Sequence, residues 1–381
     1  MAYDIETKCL HLEQQGETCD KSGAISFPIY QTATFAHLGV GKSTGYDYSR
    51  LQNPTREQVE KVVAGLEGGV DAVAFSSGMA AVSAVMELFR PGDQVIVDED
   101  LYGGSVRLFL NISQKNGIEI TRVNLCTEPV ENYITERTKA VFLETPTNPM
   151  MNVIDIRKIS ESTKKHGILL IVDNTFLSPY FQNPLKLGAD IVVHSGTKYL
   201  GGHNDTLAGF VVSGTKELAE QMRFTIKTTG AGLAPFDSWL ILRGIKTLAL
   251  RMEKAQANAI RLAHWLQEQP EVVRVIYPGL NEHPGHIIMK QQAGGFGAML
   301  TFEVTSKELV AQILERVKLI QFAESLGGVE TLITYPITQT HADVPPEILE
   351  RNGITDRVLR LSVGIENVDD LICDLEQAFF D

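Results

Sequence analysis

Hydrophobic and polar residues recur along the chain in two patterns that predict different elements. From Thr55 onward, segments with an apolar residue at every third or fourth position alternate with short, nearly continuous runs of Val, Ile and Leu. The first pattern predicts amphipathic helices, and the second predicts strands buried on both faces. The predicted helices are Arg56–Leu66, Met79–Phe89, Gly104–Lys115 and Asp155–His166. The predicted strands are Asp71–Phe75, Gln94–Asp98, Glu119–Leu125, Ala140–Glu144, Leu169–Asp173, Asp190–His194 and Ala208–Val212.

The order of these elements predicts an α/β fold whose mostly parallel sheet is covered by helices on both faces. Residues 1–55 show little periodicity and are expected to form an N-terminal arm. One long helical pattern over Asp237–Gln267 leads into a second unit. That unit has predicted strands near Ala298–Val304 and Val358–Val363, and predicted helices near Ser306–Arg316 and Val368–Phe379. We therefore expect a large domain over residues 56–245 and a small C-terminal domain over residues 246–381.

Composition and charge narrow the class of protein. The chain has 381 residues, of which 44% are hydrophobic and 21% charged, and its formal net charge is −13. These values are typical of globular proteins, and the negative charge disfavours binding to nucleic acid or to an anionic membrane. Residues 1–23 lack the apolar segment of a secretory signal, and no other apolar run is long enough to span a bilayer. We expect a cytoplasmic protein that contacts neither nucleic acid nor membrane.

The four cysteines, Cys9, Cys19, Cys126 and Cys373, lie far apart and form no metal-binding spacing with histidine. Free buried thiols are expected, with no disulfide framework and no metal site. The segment GVGKST at Gly39–Thr44 suggests a nucleotide-binding P-loop, but Ala36 stands where that motif requires glycine. The following residues are not helical in pattern, so a nucleotide site is disfavoured.

The candidate chemistry lies where the predicted strands end, because ligands of open α/β sheets collect at that edge. After the first strand, Ser77 and Gly78 open a helix whose amides could bind a phosphate, although Ser77 could equally be a simple helix cap. After the second strand, Tyr102 precedes two glycines and could lie against a planar ring or pack in a turn. Each signal is weak when taken alone.

Three later strand ends add an amide, an acid and a lysine. Asn148 lies in the loop ETPTNP, and Asp173 ends an apolar strand where it could meet a cation or cap the next turn. Lys198 follows a buried strand, beside two hydroxyl residues, and a buried lysine supplies the free amine that a Schiff base needs. A phosphate cradle, a stacking aromatic ring, an acid for a pyridine nitrogen and a lysine are the parts that pyridoxal 5′-phosphate (PLP) requires.

The motifs SSGMAA, DLYGG, ETPTNP, VDNTF, HSGTKYLGGHND, ESLGG and RLSVGIE occur in this order along the chain. Through these motifs, the whole sequence resembles the Cys/Met-metabolism family of PLP enzymes. That family includes cystathionine γ-synthases, cystathionine γ-lyases, cystathionine β-lyases and methionine γ-lyases. The resemblance implies the aspartate-aminotransferase-like fold (PLP fold type I). It also implies small amino-acid substrates and a homotetramer built from two dimers, in which the N-terminal arm contributes to a neighbouring subunit's site.

The resemblance also implies roles for individual residues. Lys198 would carry PLP as a Schiff base, Tyr102 would stack on its ring, and Asp173 would pair with its pyridine nitrogen. The phosphate would be held by Gly78, Met79, Ser195 and Thr197, together with Tyr48 and Arg50 of a neighbouring subunit. The substrate side would be formed by Asn148, Ser325 and Arg360, of which Asn148 would also contact the cofactor hydroxyl and Arg360 would bind the α-carboxylate.

Three charged residues bear on the distal half of a substrate. Matching positions in the γ-acting relatives are held here by Asp47, Arg107 and Glu330. Their charges suit the ammonium and carboxylate groups of a second amino-acid moiety. The alternative is that they are ordinary surface charges. Gly104 stands where methionine γ-lyases typically have cysteine, and Gly196 stands where many relatives have alanine. The stretches APFDSWLILRGIKTL and TYPITQTHADVPPE most resemble γ-synthases that accept O-acylated homoserine. γ-Synthase activity is therefore expected, with γ-lyase and β-lyase as alternatives and a catalytically silent PLP carrier as the alternative of another class.

Overall fold

Two β-sheets organise the part of the chain that the computed structural model describes, residues 3–12 and 23–380. The strands of the first sheet are β1 (Asp71–Phe75), β2 (Gln94–Asp98), β3 (Glu119–Val123), β4 (Thr138–Glu144), β5 (Leu169–Asp173), β6 (Ile191–Ser195) and β7 (Gly209–Ser213). Those of the second are β8 (Val272–Ile276), β9 (Met299–Val304), β10 (Gln321–Phe322), β11 (Leu332–Thr334) and β12 (Val358–Ser362).

The seven-stranded sheet has the order β1-β7-β6-β5-β4-β2-β3, and its strands from β6 to β3 are all parallel. Only β7 runs against its neighbours β6 and β1. The α/β fold with a mostly parallel sheet is therefore confirmed. Parallel pairing aligns the carboxyl ends of β4, β5 and β6, since Glu144 pairs with Asp173 and Asp173 pairs with Val193. Side chains that follow these strands consequently meet at one edge.

Helices surround both sheets. They are α1 (Ile5–His11), α2 (Pro54–Glu67), α3 (Gly78–Met86), α4 (Gly103–Leu108), α5 (Ile156–His166), α6 (Ser178–Phe181), α7 (Pro184–Leu187), α8 (Lys216–Thr229), α9 (Pro235–Ile245), α10 (Leu248–Gln267), α11 (His286–Gln292), α12 (Lys307–Arg316), α13 (Pro346–Arg351) and α14 (Val368–Phe380). Apolar strand side chains such as Ile171, Val192 and Val211 are fully buried beneath them. Burial of one such side chain contributes about 1.5–3 kcal/mol relative to exposure.

The long helix expected over Asp237–Gln267 is divided into α9 and α10, so that prediction is wrong. The Gly244 carbonyl, which a continuous helix would offer to the amide of Leu248, accepts instead from Thr247 N at 3.1 Å and from Arg251 Nη2 at 2.7 Å. Gly244 also lies against the chain at Gly201, where an added Cβ would meet the Gly201 carbonyl oxygen at 2.2 Å. Tertiary contacts thus override the helical periodicity at this point.

The smaller sheet has the order β10-β11-β12-β9-β8 and lies in the C-terminal part of the chain. Strands β9, β11 and β12 are buried throughout, and β12 lies between them. Arg360, in the middle of β12, is 1% exposed. A fully buried arginine needs a specific partner or ligand, which makes this sheet part of the search for a site.

The structure also bears on membrane-spanning helices, metal sites and the state of the cysteines. Within residues 3–12 and 23–380, no helix is both long and apolar enough to cross a bilayer, and no cluster of His, Cys, Asp and Glu is arranged to hold a metal ion. The thiols of Cys9, Cys126 and Cys373 are free, as expected. Only Cys9 is buried, so the prediction of buried thiols is wrong for the other two, which lie on a turn and on an outer face of α14. Cys19 lies outside the described residues.

Candidate active site

The carboxyl ends of the parallel strands line a cavity of about 320 Å³ that the smaller sheet also borders. Ten of the residues predicted from the sequence lie in its wall. They are Gly78, Met79, Tyr102, Asn148, Asp173, Ser195, Thr197, Lys198, Ser325 and Arg360. Eight of them meet because α3, α4 and the loops after β4, β5 and β6 all begin at one edge of the larger sheet, and Ser325 and Arg360 reach the cavity from the side of the smaller sheet. The sequence therefore located the cavity correctly, although the roles of its residues stay predictions.

Lys198 extends into this cavity from the turn that follows β6. Its Nζ lies 2.8 Å from the hydroxyl of Ser325. Burial, helped by the charge of Arg360, lowers the pKa of Lys198 to about 8. Ser325 has φ 101°, a conformation that L-residues rarely adopt, and this backbone orientation accompanies the contact of its side chain with the lysine. With a pKa of about 8, roughly a tenth of the lysine is a free amine at pH 7, and covalent attachment of a carbonyl compound requires this form.

Asp173 lies at the end of β5 and faces the cavity. Its Oδ1 accepts hydrogen bonds from Thr175 N at 3.0 Å and from Thr175 Oγ1 at 2.5 Å. Burial raises the pKa of Asp173, and the bonds from Thr175 act in the opposite direction. Asp173 therefore caps the next turn and also presents a carboxylate to the cavity, so the two interpretations of this acid are compatible. Thr175 was not singled out in the sequence.

The N-terminus of α3 forms a small-residue wall opposite Ser195. A Cβ added to Gly78 would lie 2.9 Å from Ser195 Cβ, so no side chain fits there. Ser77 caps the helix by accepting from Ala80 N at 3.1 Å, which confirms the capping interpretation of this serine. The arrangement of helix N-terminus, Ser195 and Thr197 around an open space fits a phosphate group.

Glu144 is a buried carboxyl in the cavity wall that the sequence analysis did not select. It ends β4 beside Asp173, and its Oε2 accepts from the backbone amide of Tyr102 at 3.0 Å. Burial, together with the charge of Asp173, raises the pKa of Glu144 well above its usual value. Its contact fixes the start of α4 and with it Tyr102, whose side chain is 38% exposed at the cavity rim. The only sequence signal was its place in the ETPTNP motif.

Arg360 forms the wall of the cavity on the side of the smaller sheet. Its Nη1 donates to Asn148 Oδ1 at 2.8 Å, and its Nη2 donates to the Ser325 carbonyl at 2.9 Å and to Thr334 Oγ1 at 3.1 Å. All three acceptors are neutral, and Nε has no partner within the described part of the chain. The positive charge of this buried guanidinium is therefore available to an anionic ligand group.

Three residues predicted from the N-terminal arm do not line this cavity. Tyr48 is 45% exposed, and the guanidinium carbon of Arg50 lies 5.7 Å from the centre of its ring. Arg50 also donates to the Lys227 carbonyl at 2.6 Å. Asp47 accepts from Ser43 Oγ at 2.6 Å and lies 2.9 Å from His37 Nε2. Because these residues do not line the cavity of their own chain, their contribution to the site of a neighbouring subunit stays a proposal.

The two other distal residues also lie outside the cavity wall. Arg107 forms an ion pair with Asp343 at 2.5 Å, and both side chains are more than half exposed. Glu330 accepts from Asn204 Nδ2 at 2.7 Å on the surface. Gly104 and Gly196 are closely packed: an added Cβ would meet Tyr102 Cε1 at 2.4 Å in the first case and Phe210 Cε2 at 2.5 Å in the second. The space beside Gly196 is therefore filled by Phe210.

The fold and the cavity define a class of protein. A mostly parallel α/β sheet with a second, smaller sheet presents a lysine of lowered pKa, a carboxylate facing the same space and a small-residue helix N-terminus. These residues fit PLP in its three parts, the aldehyde, the pyridine nitrogen and the phosphate. The molecule is thus a PLP-dependent enzyme with the aspartate-aminotransferase-like fold that the sequence predicts.

Comparison with known proteins identifies the family. The model of the Cys/Met metabolism PLP-dependent enzymes matches residues 6–380. The chain is 51% identical over 380 residues to a cystathionine γ-synthase/O-acetylhomoserine (thiol)-lyase of Bacillus subtilis, covering 99% of this chain and 97% of that protein. It is 49% identical over 376 residues to a cystathionine β-lyase of Lactococcus lactis subsp. cremoris, covering 98% of each chain. The structure of a cystathionine γ-lyase from Lactobacillus plantarum complexed with L-serine superposes with a TM-score of 0.94 at 44% identity, covering 99% of this chain and 98% of that one.

The chain belongs to the Cys/Met-metabolism family of PLP-dependent enzymes. It is accordingly an enzyme of trans-sulfuration chemistry that uses PLP and acts on small amino-acid substrates. The alternative of a catalytically silent carrier is set aside by this membership. The similar proteins divide among γ-synthase, γ-lyase and β-lyase, so the family alone does not select one reaction.

Proposed function

We propose that the protein is a cystathionine γ-synthase, which replaces the acyl group of an O-acylated homoserine by cysteine or another thiol. The observation that carries this proposal is the 51% identity, over 99% of the chain, to a protein named for that reaction. The packing of Gly104 against Tyr102 and Met79 supports it, because a cysteine there, as in methionine γ-lyases, would require these side chains to move. Arg107 and Glu330 lie outside the cavity wall and are proposed to meet the distal carboxylate and ammonium.

The roles proposed for the cavity residues follow from their contacts. Lys198 would bind the cofactor covalently and, as a free amine, move a proton between substrate carbons, with Ser325 orienting its Nζ. Asp173 would keep the pyridine nitrogen protonated, so that bound PLP supplies an electron sink for the substrate α-carbon. Arg360, held by Asn148 and Thr334, would bind the α-carboxylate. Tyr102 would stack on the ring, and Gly78, Met79, Ser195 and Thr197 would hold the phosphate.

The organisation of the chain is part of the proposal. We assign residues 1–55 to an arm, residues 56–245 to a large PLP-binding domain and residues 246–381 to a small domain. The break between α9 and α10 at Lys246–Thr247 supports the second boundary. Tyr48 and Arg50 are proposed to reach the phosphate in a neighbouring subunit, which requires at least a dimer, and a homotetramer of two such dimers is the proposed assembly.

Cleavage of cystathionine is the second candidate reaction. It is favoured by the 49% identity to a cystathionine β-lyase and by the 44% identity to the structure of a γ-lyase. Both reactions begin with the same handling of the substrate α-carbon, so the residues of the cavity are compatible with either. The distinction depends on which substrate carbon loses its substituent and on the access of a second substrate to the γ-carbon.

The deciding experiment compares two reactions of the purified, PLP-loaded enzyme. One mixture contains O-acetylhomoserine and cysteine, the other contains cystathionine alone, and the products are separated by mass. Fast formation of cystathionine with slow cleavage is the result expected for a γ-synthase. Faster cleavage would refute the proposal: cysteine with 2-oxobutanoate would indicate a γ-lyase, and homocysteine with pyruvate a β-lyase.

A further inference from the structure

A buried acid–imidazole pair lies behind the cavity and has no part in the proposed reaction so far. Glu67, the last residue of α2, is fully buried, and His194, near the end of β6, is 1% exposed. His194 Nε2 lies 2.7 Å from Glu67 Oε1. A polar pair enclosed in this way is costly to desolvate and is often replaceable by apolar side chains without loss of stability. Its presence therefore requires a reason other than stability.

The pair joins the backbone immediately beside two cavity residues. Glu67 Oε1 also accepts from Asn174 Nδ2 at 2.8 Å, and Asn174 directly follows Asp173. The amide of Asn174 donates to the carbonyl of Val193 at 2.9 Å, which ties the end of β5 to β6. His194 itself precedes Ser195 in β6. One carboxylate oxygen of Glu67 is thus shared by the residues that adjoin Asp173 and Ser195.

A second set of hydrogen bonds joins Asp173 to Ser195 on the cavity side. Thr175 Oγ1 donates to Asp173 Oδ1 at 2.5 Å and accepts from the amide of Ser195 at 2.9 Å. Thr175 therefore holds the Asp173 carboxylate directly, while the buried pair holds the chain beside it through Asn174 and His194. Networks of this kind hold a reacting group more rigidly than a single bond does.

The electrostatic effect of His194 acts in the same direction. Burial raises the pKa of Asp173, the hydrogen bonds from Thr175 lower it, and the charge interaction with His194 lowers it further. The carboxyl of Glu144, paired with Asp173 across β4 and β5, is a neighbouring acid. Without these contacts, an enclosed aspartate beside a second acid would tend to take up a proton and could no longer pair with a protonated pyridine nitrogen.

We propose that Glu67 and His194 are a positioning pair for Asp173: through Asn174 and the backbone before Ser195 they keep Asp173 directed at the pyridine nitrogen of PLP, and the imidazole of His194 gives its carboxylate electrostatic support. The inference rests on the role proposed for Asp173, and it holds whether the enzyme replaces the γ-substituent or cleaves cystathionine. Neither residue touches the cofactor or the substrate in this scheme. They act only through Asp173.

The test measures the protonation of the pyridine nitrogen directly. The holoenzyme is loaded with PLP labelled with ¹⁵N in the ring, and its ¹⁵N shift is recorded by solid-state NMR without substrate, with free PLP at low and high pH as references. The wild type is expected at the protonated value. Glu67→Gln, which keeps an acceptor for Asn174 but removes the charge, and His194→Gln are each expected to move at least halfway towards the unprotonated value.

A second readout follows the exchange of the substrate α-proton with deuterated solvent. Exchange is expected to slow at least about tenfold in both variants, the equivalent of one pKa unit of lost electrostatic support, while the dissociation constant of PLP changes less than about threefold. His286→Gln is the matched control. His286 is also buried and bonded, to the Pro278 carbonyl at 2.8 Å, and it lies against Phe296, remote from the cavity residues. It should leave both readouts unchanged.

Asp173→Ala separates failure of this inference from failure of the assignment on which it rests. If Asp173→Ala moves the ¹⁵N shift but Glu67→Gln and His194→Gln do not, the positioning pair is refuted and the role of Asp173 stands. If Asp173→Ala also leaves the shift at the protonated value, both are refuted. An equal shift in His286→Gln would trace the effect to general loss of packing and would likewise overturn the inference.

Discussion

Replacement of Arg360 should weaken catalysis through loss of the contacts to the substrate carboxylate. Arg360 lies on β12, between β9 and β11, and the protein partners of its buried guanidinium, Asn148, Ser325 and Thr334, are all neutral. Burial lowers the pKa of Arg360 to about 10, so it remains a cation at neutral pH. Its charge is therefore free to bind a carboxylate in the cavity. Two variants separate the effect of charge from that of geometry. Arg360→Ala removes both the charge and the planar group that can form two hydrogen bonds to a carboxylate, and Arg360→Lys keeps a charge without that planar group.

The magnitude follows from the number of bonds to a charged group. Each hydrogen bond to a charged partner contributes about 1.5–3 kcal/mol, so a two-bonded carboxylate loses about 3–6 kcal/mol in Arg360→Ala. Because about 1.36 kcal/mol corresponds to a factor of ten in rate, kcat/KM should fall about 10²- to 10⁴-fold. Arg360→Lys keeps one of the two bonds, so its loss should be about 10- to 10²-fold.

The assay is kcat/KM for the faster of the two reactions that distinguish synthase from lyase. Arg357→Ala is the matched control, since Arg357 lies just before β12 and forms its ion pair with Glu303 at 2.6 Å, away from the cavity. The control should change kcat/KM less than about twofold. Thermal unfolding and the bound PLP content show whether each variant is folded and loaded. A folded, loaded Arg360→Ala enzyme within tenfold of the wild type would refute the carboxylate role.

Three further predictions concern the cofactor. Asp173→Ala should retain bound PLP after dialysis, measured by absorbance, but turn over at a small fraction of the wild-type rate because the pyridine nitrogen loses its anionic partner; near wild-type turnover would contradict the electron-sink assignment. Burial and Arg360 lower the pKa of Lys198 to about 8, and only the unprotonated amine reacts. The rate at which PLP-free protein combines with PLP should therefore rise with pH and level off above about pH 8. A rate that still climbs at pH 10 would place the lysine in an ordinary, solvated environment. Arg50→Ala and Lys198→Ala should each be inactive alone, and mixed dimers of the two should recover part of the activity; mixed dimers that form and stay inactive would exclude a site shared between subunits.

The sequence predicted the central sheet well because most of its strands are short, buried apolar runs. Runs such as those of β5 and β6 contain almost only apolar residues, and the structure places them where expected. The prediction missed β8, whose residues are partly or fully exposed, and β11, which has only three residues. It also missed α8, and it joined α9 to α10 because the bonds that end α9 come from Arg251, a residue of the next helix. Exposed or very short strands and tertiary breaks leave no periodic signal.

The candidate site divides in a similar way. Lys198 and Asp173 could be found because each is a polar residue in an apolar context, and such residues stand out in a sequence. Arg360 was found only through the resemblance to the family. Glu144 and Thr175 gave no such signal, since their importance lies in the contacts they make with Tyr102 and Asp173. Glu67 and His194 are 127 residues apart, and nothing in either segment indicates that α2 and β6 bring them together. Contacts of this kind become visible only in three dimensions.

The most direct measurement for the central claim is the position of the cofactor on the chain. Reduction of the PLP-loaded protein with borohydride makes the linkage permanent, and peptide mapping by mass spectrometry then identifies the modified lysine. The account predicts loss of the yellow absorbance and a single pyridoxyl group on the peptide that contains Lys198, with none on that peptide in Lys198→Ala. A pyridoxyl group on another lysine, or a colourless protein that added PLP cannot change, would contradict it.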